Sequence, residues 1–161
     1  MTMLLLQPKP YTLNASEGLL LECIGATIYV KATSKQTDGA FNLFEVCCPP
    51  SFAVPLHIHY AEDVAVFVLE GALTFFWGNE KEKAAIGSFF FQPRGTPHGF
   101  RTEGSVPARI LYMTIPAGLD QFVMEQQRQT SETEIGRTAA RFKIEILGPL
   151  PDGPEEQVKN T

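Results

Sequence analysis

The sequence contains few of the residues that hold small secreted folds together or attract polyanions. Three of its 161 residues are cysteines, and no two of them have C-x-x-C spacing, which argues against a disulfide framework and favours a reducing, cytoplasmic setting. Lys and Arg number 13 against 18 Asp and Glu, for a formal charge of −5. This acidity argues against nucleic acid or an anionic membrane surface as a partner.

Long apolar runs are also lacking. No segment approaches the roughly 20 apolar residues that a membrane-spanning helix needs. The N-terminal Met-Leu-Leu-Leu is shorter than a signal-peptide core and is followed by Pro8 and Pro10. We therefore expect no membrane partner and a cytoplasmic location.

Glycine, proline and phenylalanine are abundant by contrast, with 13, 12 and 12 copies. Turn-forming residues recur at short intervals between segments rich in β-branched and aromatic residues, which predicts an all-β sandwich or barrel. The predicted strands cover residues 19–31 (one strand or two), 41–48, the segment that carries His57 and His59, 64–69, 73–77, 83–86, 88–92, 97–101 and 108–115.

The pattern changes after residue 115. Apolar residues at helical spacing predict a helix over 119–129, and the capping-box pattern at 131–134 predicts a second helix that ends near residue 142. A short extended segment follows at 144–147. We therefore divide the chain into a barrel with an N-terminal arm (1–115), C-terminal helices and a strand packed on it (116–150), and a tail (151–161) whose acidic, proline-containing composition predicts disorder.

The three histidines lie in two strand-and-turn segments. His57 and His59 are two residues apart in an extended segment, so their imidazoles share one face. His98 ends the run Pro-Arg-Gly-Thr-Pro-His. Imidazoles held on adjacent strands of a barrel suit a first-row transition metal ion.

These segments resemble the two motifs of the cupin superfamily. The motif residues are Pro-Leu-His-Ile-His at 55–59, then Gly71, then Gly87-x5-Pro93-x-Gly95-x2-His98. Residues 114–122 and 140–149 resemble the C-terminal part of single-domain cupins grouped with quercetin dioxygenases. The resemblance implies a cupin double-stranded β-helix, or jelly-roll, barrel with a short C-terminal helical appendage, and a homodimer.

One position departs from the family pattern. Seven residues before Gly71 the family has a glutamate that binds metal, and this chain has Val64. Three interpretations follow: a working three-histidine site, as in thiol and diketone dioxygenases; a weakened site that captures Zn or Ni; or a metal-free pocket in which the histidines serve as hydrogen-bonding groups. Three histidines in the ligand positions favour a divalent metal (Fe, Ni, Mn or Zn) bound by His57, His59 and His98.

The resemblance also predicts which residues surround the site. On the family pattern Phe89 and Phe91 face a second sheet or a partner subunit, and the residues that line the interior pocket are Val64, Val66, Phe90, Gln92 and Phe100.

No general base stands out, although Glu62 is a distant candidate and Glu103 a weaker one. We interpret residues 60–63 as a solvated turn, and Arg94 and Arg101 as partners in rim salt bridges rather than anchors for a substrate carboxylate.

Two functions remain open at this point. The first is a small-molecule-binding cupin that acts as a three-histidine, metal-dependent, dioxygenase-like enzyme on an aromatic or diketone-like substrate. The second is a non-catalytic ligand-binding or sensing cupin that has lost its metal site.

Overall fold

Two antiparallel sheets form the framework of the chain. The structure is a computed structural model and describes residues 7–151. The elements are, in chain order, β1 (Leu19–Cys23), β2 (Ala26–Ala32), β3 (Asn42–Cys48), β4 (Ala53–His59), β5 (Asp63–Glu70), β6 (Leu73–Trp77), β7 (Glu80–Ala84), β8 (Phe89–Gln92), β9 (His98–Thr102), β10 (Ala108–Ile115), α1 (Leu119–Gln126), α2 (Glu132–Arg141) and β11 (Ile144–Gly148). One sheet has the order β1-β2-β3-β10-β5-β8 and the other β11-β4-β9-β6-β7. This confirms the predicted all-β fold with a short helical segment.

Side chains from both sheets meet in one core. β5 turns Val64, Val66 and Val68 inward, as a two-residue period requires. They belong to the same hydrophobic cluster as Phe75 of β6 and Phe100 of β9, which lie on the other sheet. Burial of an apolar side chain of this size contributes about 1.5–3 kcal/mol, so this cluster stabilises the packing of the two sheets.

The outer face of β5 is more exposed than its sequence suggests. The unbroken apolar run 64–69 predicts a strand buried on both faces, and this prediction is wrong because Phe67 is 41% exposed. Phe67 lies opposite Phe89 of β8. Phe89 and Phe91 are 66% and 51% exposed, so both face outward, as the alternation of the strand predicts. The three rings form an apolar row on the outside of the sheet, which we call the outer phenylalanine row.

Two glycines set tight turns around β6. Gly71, which precedes it, has φ 74°, and a Cβ there would lie 2.6 Å from the carbonyl oxygen of Pro107, so a larger residue does not fit. Gly78, with φ 54°, begins the two-residue turn to β7. Because Trp77 pairs with Glu80, β7 begins inside the predicted turn at 78–81, and it ends at Ala84 rather than at residue 86.

The C-terminal segment joins the sheet that carries the histidines. α1 ends three residues earlier than predicted, at Gln126. α2 begins as the capping-box pattern predicts, since the hydroxyl oxygen of Ser131 accepts a hydrogen bond from the backbone N–H of Glu134 at 3.1 Å. β11 then pairs with β4. The segment that the sequence assigns to a separate appendage therefore adds an edge strand beside the first two histidines.

Parts of two predictions lie outside the described residues. The sequence predicts an N-terminal arm or edge strand over residues 1–10, of which only residues 7–10 are described, and these form no strand. Of the predicted disordered tail, only residue 151 is described. Within residues 7–151, no helix is long and apolar enough to cross a membrane.

Candidate metal centre

The two strands β4 and β9 bring the three histidines together. His57 and His59 are on β4, and His98 begins β9 directly opposite His57. All three side chains are buried. One ring nitrogen from each lies within 4.8 Å of the other two. The structure thus brings together the three residues that the sequence predicts as metal ligands.

Hydrogen bonds fix the tautomer of each ring. Nδ1 of His57 lies 2.8 Å from the carbonyl oxygen of Pro55, and Nδ1 of His98 lies 2.9 Å from that of Thr96. Nδ1 of His59 lies 3.2 Å from a carboxylate oxygen of Glu62. Since carbonyl and carboxylate oxygens accept, each Nδ1 carries a proton and donates it. For the neutral rings of His57 and His98, this leaves a lone pair on Nε2.

The three Nε2 atoms fit a metal ion. Those of His57 and His59 are 3.1 Å apart, within hydrogen-bond distance of each other. Nε2 of His98 is buried, and it has no hydrogen-bond partner in the part of the chain that the structure describes. A cation among the three Nε2 atoms would take one ligand nitrogen from each ring. Three protein ligands would leave coordination positions open, as in catalytic metal sites.

Burial keeps the rings of His57 and His98 neutral. Desolvation lowers the pKa of His57 well below its ordinary value, and the neighbouring rings of His98 and His59 lower it further. Desolvation also lowers the pKa of His98 to about 4, against an opposing effect of its hydrogen bond to Thr96. Because only unprotonated imidazole binds a metal, both rings are ready to coordinate at neutral pH.

Two unpartnered oxygen atoms flank the position where the family has its carboxylate. Val64 of β5 is buried and lies between Thr114 of β10 and Gln92 of β8 in the strand register. Oε1 of Gln92 and Oγ1 of Thr114 are both buried without a hydrogen-bond partner among residues 7–151. The sequence identifies Gln92 as an interior residue but misses Thr114, because its nearness to Val64 depends on the pairing of β10 with β5.

The aromatic residues of the predicted pocket pack against one another. Phe90 stacks on Phe75 with ring centroids 4.3 Å apart, and Trp77 contacts Phe90 at 5.3 Å. Phe100 contacts Phe75 and Phe52. Protein side chains therefore occupy the interior around Phe90. The predicted pocket residues lie on the inner side of their strands: Val64, Val66, Phe90, Gln92 and Phe100.

Comparisons with known proteins identify the family. The cupin domain model matches residues 44–114. An uncharacterised protein of Methanocaldococcus jannaschii is 32% identical over 108 residues, which cover 67% of this chain and 80% of that protein. The chain is a cupin. Its sequence also aligns with quercetin 2,3-dioxygenase of Bacillus subtilis, at 27% identity over 97 residues. That alignment covers 60% of this chain but only 29% of the dioxygenase.

A solved structure supports the same fold. KdgF of a Halomonas species superposes with a TM-score of 0.54 at 20% sequence identity, and the match covers 60% of this cupin and 85% of KdgF. At this identity the likeness concerns the fold alone. Together with the family match it confirms the predicted cupin barrel.

Glu62 corrects the interpretation of residues 60–63 as a solvated turn. Tyr60 is exposed, but the side chain of Glu62 is buried with only 4% of its surface exposed. Its carboxylate accepts the hydrogen bond from Nδ1 of His59. Residue 62 lies in the irregular segment between β4 and β5, and this hydrogen bond places its carboxylate beside the histidine cluster of this cupin.

The two arginines near the barrel rim form the predicted salt bridges. Nε of Arg94 lies 3.1 Å from a carboxylate oxygen of Asp63, and Nε of Arg101 lies 2.8 Å from one of Glu103. The hydroxyl of Thr74 also donates to Glu103, at 2.6 Å. These contacts lower the pKa of Glu103 against the opposing effect of its partial burial. The Glu103 carboxylate is thus engaged by two donors, which weakens its candidacy as a general base.

Proposed function

We propose that this cupin is a divalent-metal-dependent, dioxygenase-like enzyme that acts on an aromatic or diketone-like small molecule. The observation that carries the proposal is the convergence of three buried imidazole rings, those of His57, His59 and His98. The sequence similarity to quercetin 2,3-dioxygenase supports this class of reaction.

The residues of the chain have distinct tasks in this proposal. His57, His59 and His98 would hold the ion through Nε2, while the carbonyl groups of Pro55 and Thr96 fix two of the rings. When bound, a divalent ion such as Fe, Ni, Mn or Zn supplies a Lewis acid that orients and polarises the substrate. Apolar side chains such as Val64 exclude water from the site.

The charge of the ligand set favours a particular kind of substrate. Three neutral imidazoles leave the charge of a divalent ion uncompensated within its direct ligands. A substrate that offers an anionic oxygen beside a second oxygen, such as the enolate of a 1,3-diketone or a deprotonated flavonol, would supply that charge and two donors at once. This supports the proposed substrate class.

A non-catalytic binding or sensing module is the second candidate. Two observations favour it: Val64 replaces the family's carboxylate, and Phe90 stacks on Phe75 in the interior. Under this alternative the three histidines would act as hydrogen-bonding groups, and a ring-shaped ligand would displace Phe90.

We further propose a homodimer and a cytoplasmic location. The family resemblance supports the homodimer, and the outer phenylalanine row (Phe67, Phe89 and Phe91) offers it an apolar surface. The cytoplasmic location is supported by the three cysteines, which form no disulfide. Light scattering on purified protein gives the oligomeric state directly.

Oxygen consumption separates the two candidate functions. Protein loaded in turn with Fe(II), Ni, Mn or Zn is supplied with a flavonol or a 1,3-diketone in air-saturated buffer. Dioxygenation inserts both atoms of O2 into the cleaved substrate, so we expect one O2 consumed per substrate without added reductant, and none with His98→Ala. Ligand binding without oxygen uptake under any metal would support the binding module instead.

A further inference from the structure

The three histidines differ in what holds them. His57 and His98 each donate Nδ1–H to a backbone carbonyl group, whereas His59 donates to the side-chain carboxylate of Glu62. Burial of an ionised carboxylate is costly unless it is paired or hydrogen-bonded. Glu62 is three positions after His59, and Tyr60 between them is exposed, so the chain turns back to make this contact.

The segment before α1 covers Glu62. Gly118 lies so close that a Cβ there would be 3.7 Å from Oε1 of Glu62. The side-chain oxygen of Asn42 holds this segment in place, because it accepts the backbone N–H groups of Gly118 at 2.9 Å and Asp120 at 3.2 Å. Glu62 is therefore enclosed by a fixed part of the fold.

The carboxylate of Glu62 lies near the position where the family has its metal-binding glutamate. The family pattern places a carboxylate at residue 64 as a direct ligand, and here that residue is Val64. Glu62 lies two residues earlier, just before β5 begins, and its carboxylate contacts Nδ1 of His59 rather than the Nε2 cluster. The chain thus keeps a negative charge beside the site, with one imidazole ring between the charge and the cluster.

We propose that Glu62 is a positioning residue for the metal centre: it holds His59 in the Nδ1–H tautomer and supplies, through that ring, the negative charge that Val64 does not. This inference rests on the proposed metal site. A carboxylate that accepts from the far nitrogen of a metal-bound imidazole orients the ring and strengthens the other nitrogen as a donor. Removal of such a partner weakens metal binding by about 10–100-fold.

Two neighbouring carboxylates give a matched test. Glu62→Gln removes the charge beside His59 but keeps a side chain of the same size, and Asp63→Asn removes the charge of the next residue, which pairs with Arg94 instead. Affinities for Zn²⁺ and Co²⁺ are measured by competition with a chromophoric chelator, and the visible spectrum of the Co²⁺ protein is recorded. We expect Glu62→Gln to bind about 10–100-fold more weakly with an altered spectrum, and Asp63→Asn to bind as the wild type does.

A double variant and a stability measurement distinguish a loss of metal affinity from a loss of folding. Adding Val64→Glu to Glu62→Gln returns a carboxylate to the site, so affinity should recover towards the wild-type value. Thermal unfolding of each metal-free variant shows whether the fold persists. Unchanged affinity in Glu62→Gln would overturn the inference, as would equal losses in both single variants or a loss that follows only the stability of the metal-free fold.

The same data distinguish this inference from the proposed function. If wild-type protein binds neither ion, the metal centre and the role of Glu62 both fail. If wild-type protein binds metal and Glu62→Gln binds it equally well, only the role of Glu62 fails.

Discussion

His57 and His98 lie opposite each other on paired strands, with ring centroids 4.3 Å apart. Each donates Nδ1–H to the carbonyl oxygen of the residue two positions earlier, Pro55 or Thr96. Each of the two sequence motifs therefore forms the same local hydrogen bond between a histidine ring and the backbone. Both rings point their unprotonated nitrogen to one place, and the fold alone sets the geometry that a metal ion would use.

Substitution of Val64 by glutamate tests whether the site keeps the arrangement of its family. Val64→Glu should raise the metal affinity and favour Mn²⁺ relative to Zn²⁺, because it adds a hard, anionic oxygen donor. Without metal the same carboxylate is buried and unpaired, so we expect a loss of about 1–3 kcal/mol in the free energy of unfolding. Calorimetric titration and urea unfolding measure the two effects. Val64→Gln is the uncharged control, and a Val64→Glu protein no better at binding than this control would show that the histidines are misarranged.

Acid should destabilise the metal-free protein. The pKa values of His57 and His98 are lowered in the folded state. At a pH between a histidine's folded-state and unfolded-state pKa, the unfolded chain therefore binds more protons than the folded one. The contribution of these neutral histidines to stability is therefore fully present above about pH 6.5. It is lost as the pH falls towards about 4, the pKa of His98 in the folded state. A shift of this size corresponds to roughly 3 kcal/mol.

Urea unfolding at several pH values in the presence of a chelator measures this dependence. His98→Asn removes one of the two groups, so its stability should fall less steeply between pH 6.5 and 4. Equal slopes for the variant and the wild type would contradict the prediction.

Adjacent phenylalanines on β8 should respond differently to truncation. Phe90 stacks on Phe75 in the interior, so Phe90→Ala should lower the free energy of unfolding by about 2–4 kcal/mol. Phe91 faces outward, and Phe91→Ala should change the stability of a monomer by less than about 0.5 kcal/mol. Urea unfolding compares the two variants at one protein concentration. Similar losses at both positions in monomeric protein would contradict the outward placement of Phe91.

Alanine substitutions at two motif glycines distinguish the free-energy cost of a steric clash from that of backbone strain. Gly71 and Gly95 both have positive φ, 74° and 81°, but only at Gly71 would a Cβ meet nearby atoms, with the carbonyl oxygen of Pro107 at 2.6 Å. Gly95→Ala should cost about 1–2 kcal/mol through strain. Gly71→Ala should cost clearly more, because Pro107 must move as well. Equal melting temperatures for the two variants would contradict this account of the turn.

Regular alternation explains what the sequence could predict about the site. His57 and His59 share a face because they are two apart in a strand, and the same rule places Phe89 and Phe91 outside. The apolar run 64–69 led to the wrong prediction of a strand buried on both faces. A strand with apolar residues on an exposed outer face has the same sequence pattern.

Longer-range packing explains what the sequence could not predict. The burial of Glu62 depends on an irregular segment between two strands and on the cover provided by the segment before α1. The proximity of Thr114 to Val64 depends on pairing between strands that lie some 50 residues apart. Neither relationship leaves a periodic pattern in the sequence.

The metal content of protein purified without an affinity tag tests the central claim most directly. Elemental analysis before and after mild chelation, with His98→Ala as the comparison, reports whether three converging imidazoles hold an ion. The account predicts close to one divalent transition metal per wild-type chain, restored by reloading after chelation, and little in the variant. Metal far below one per chain that Fe(II), Ni, Mn and Zn all fail to restore would contradict the metal centre and leave the binding module as the function to pursue.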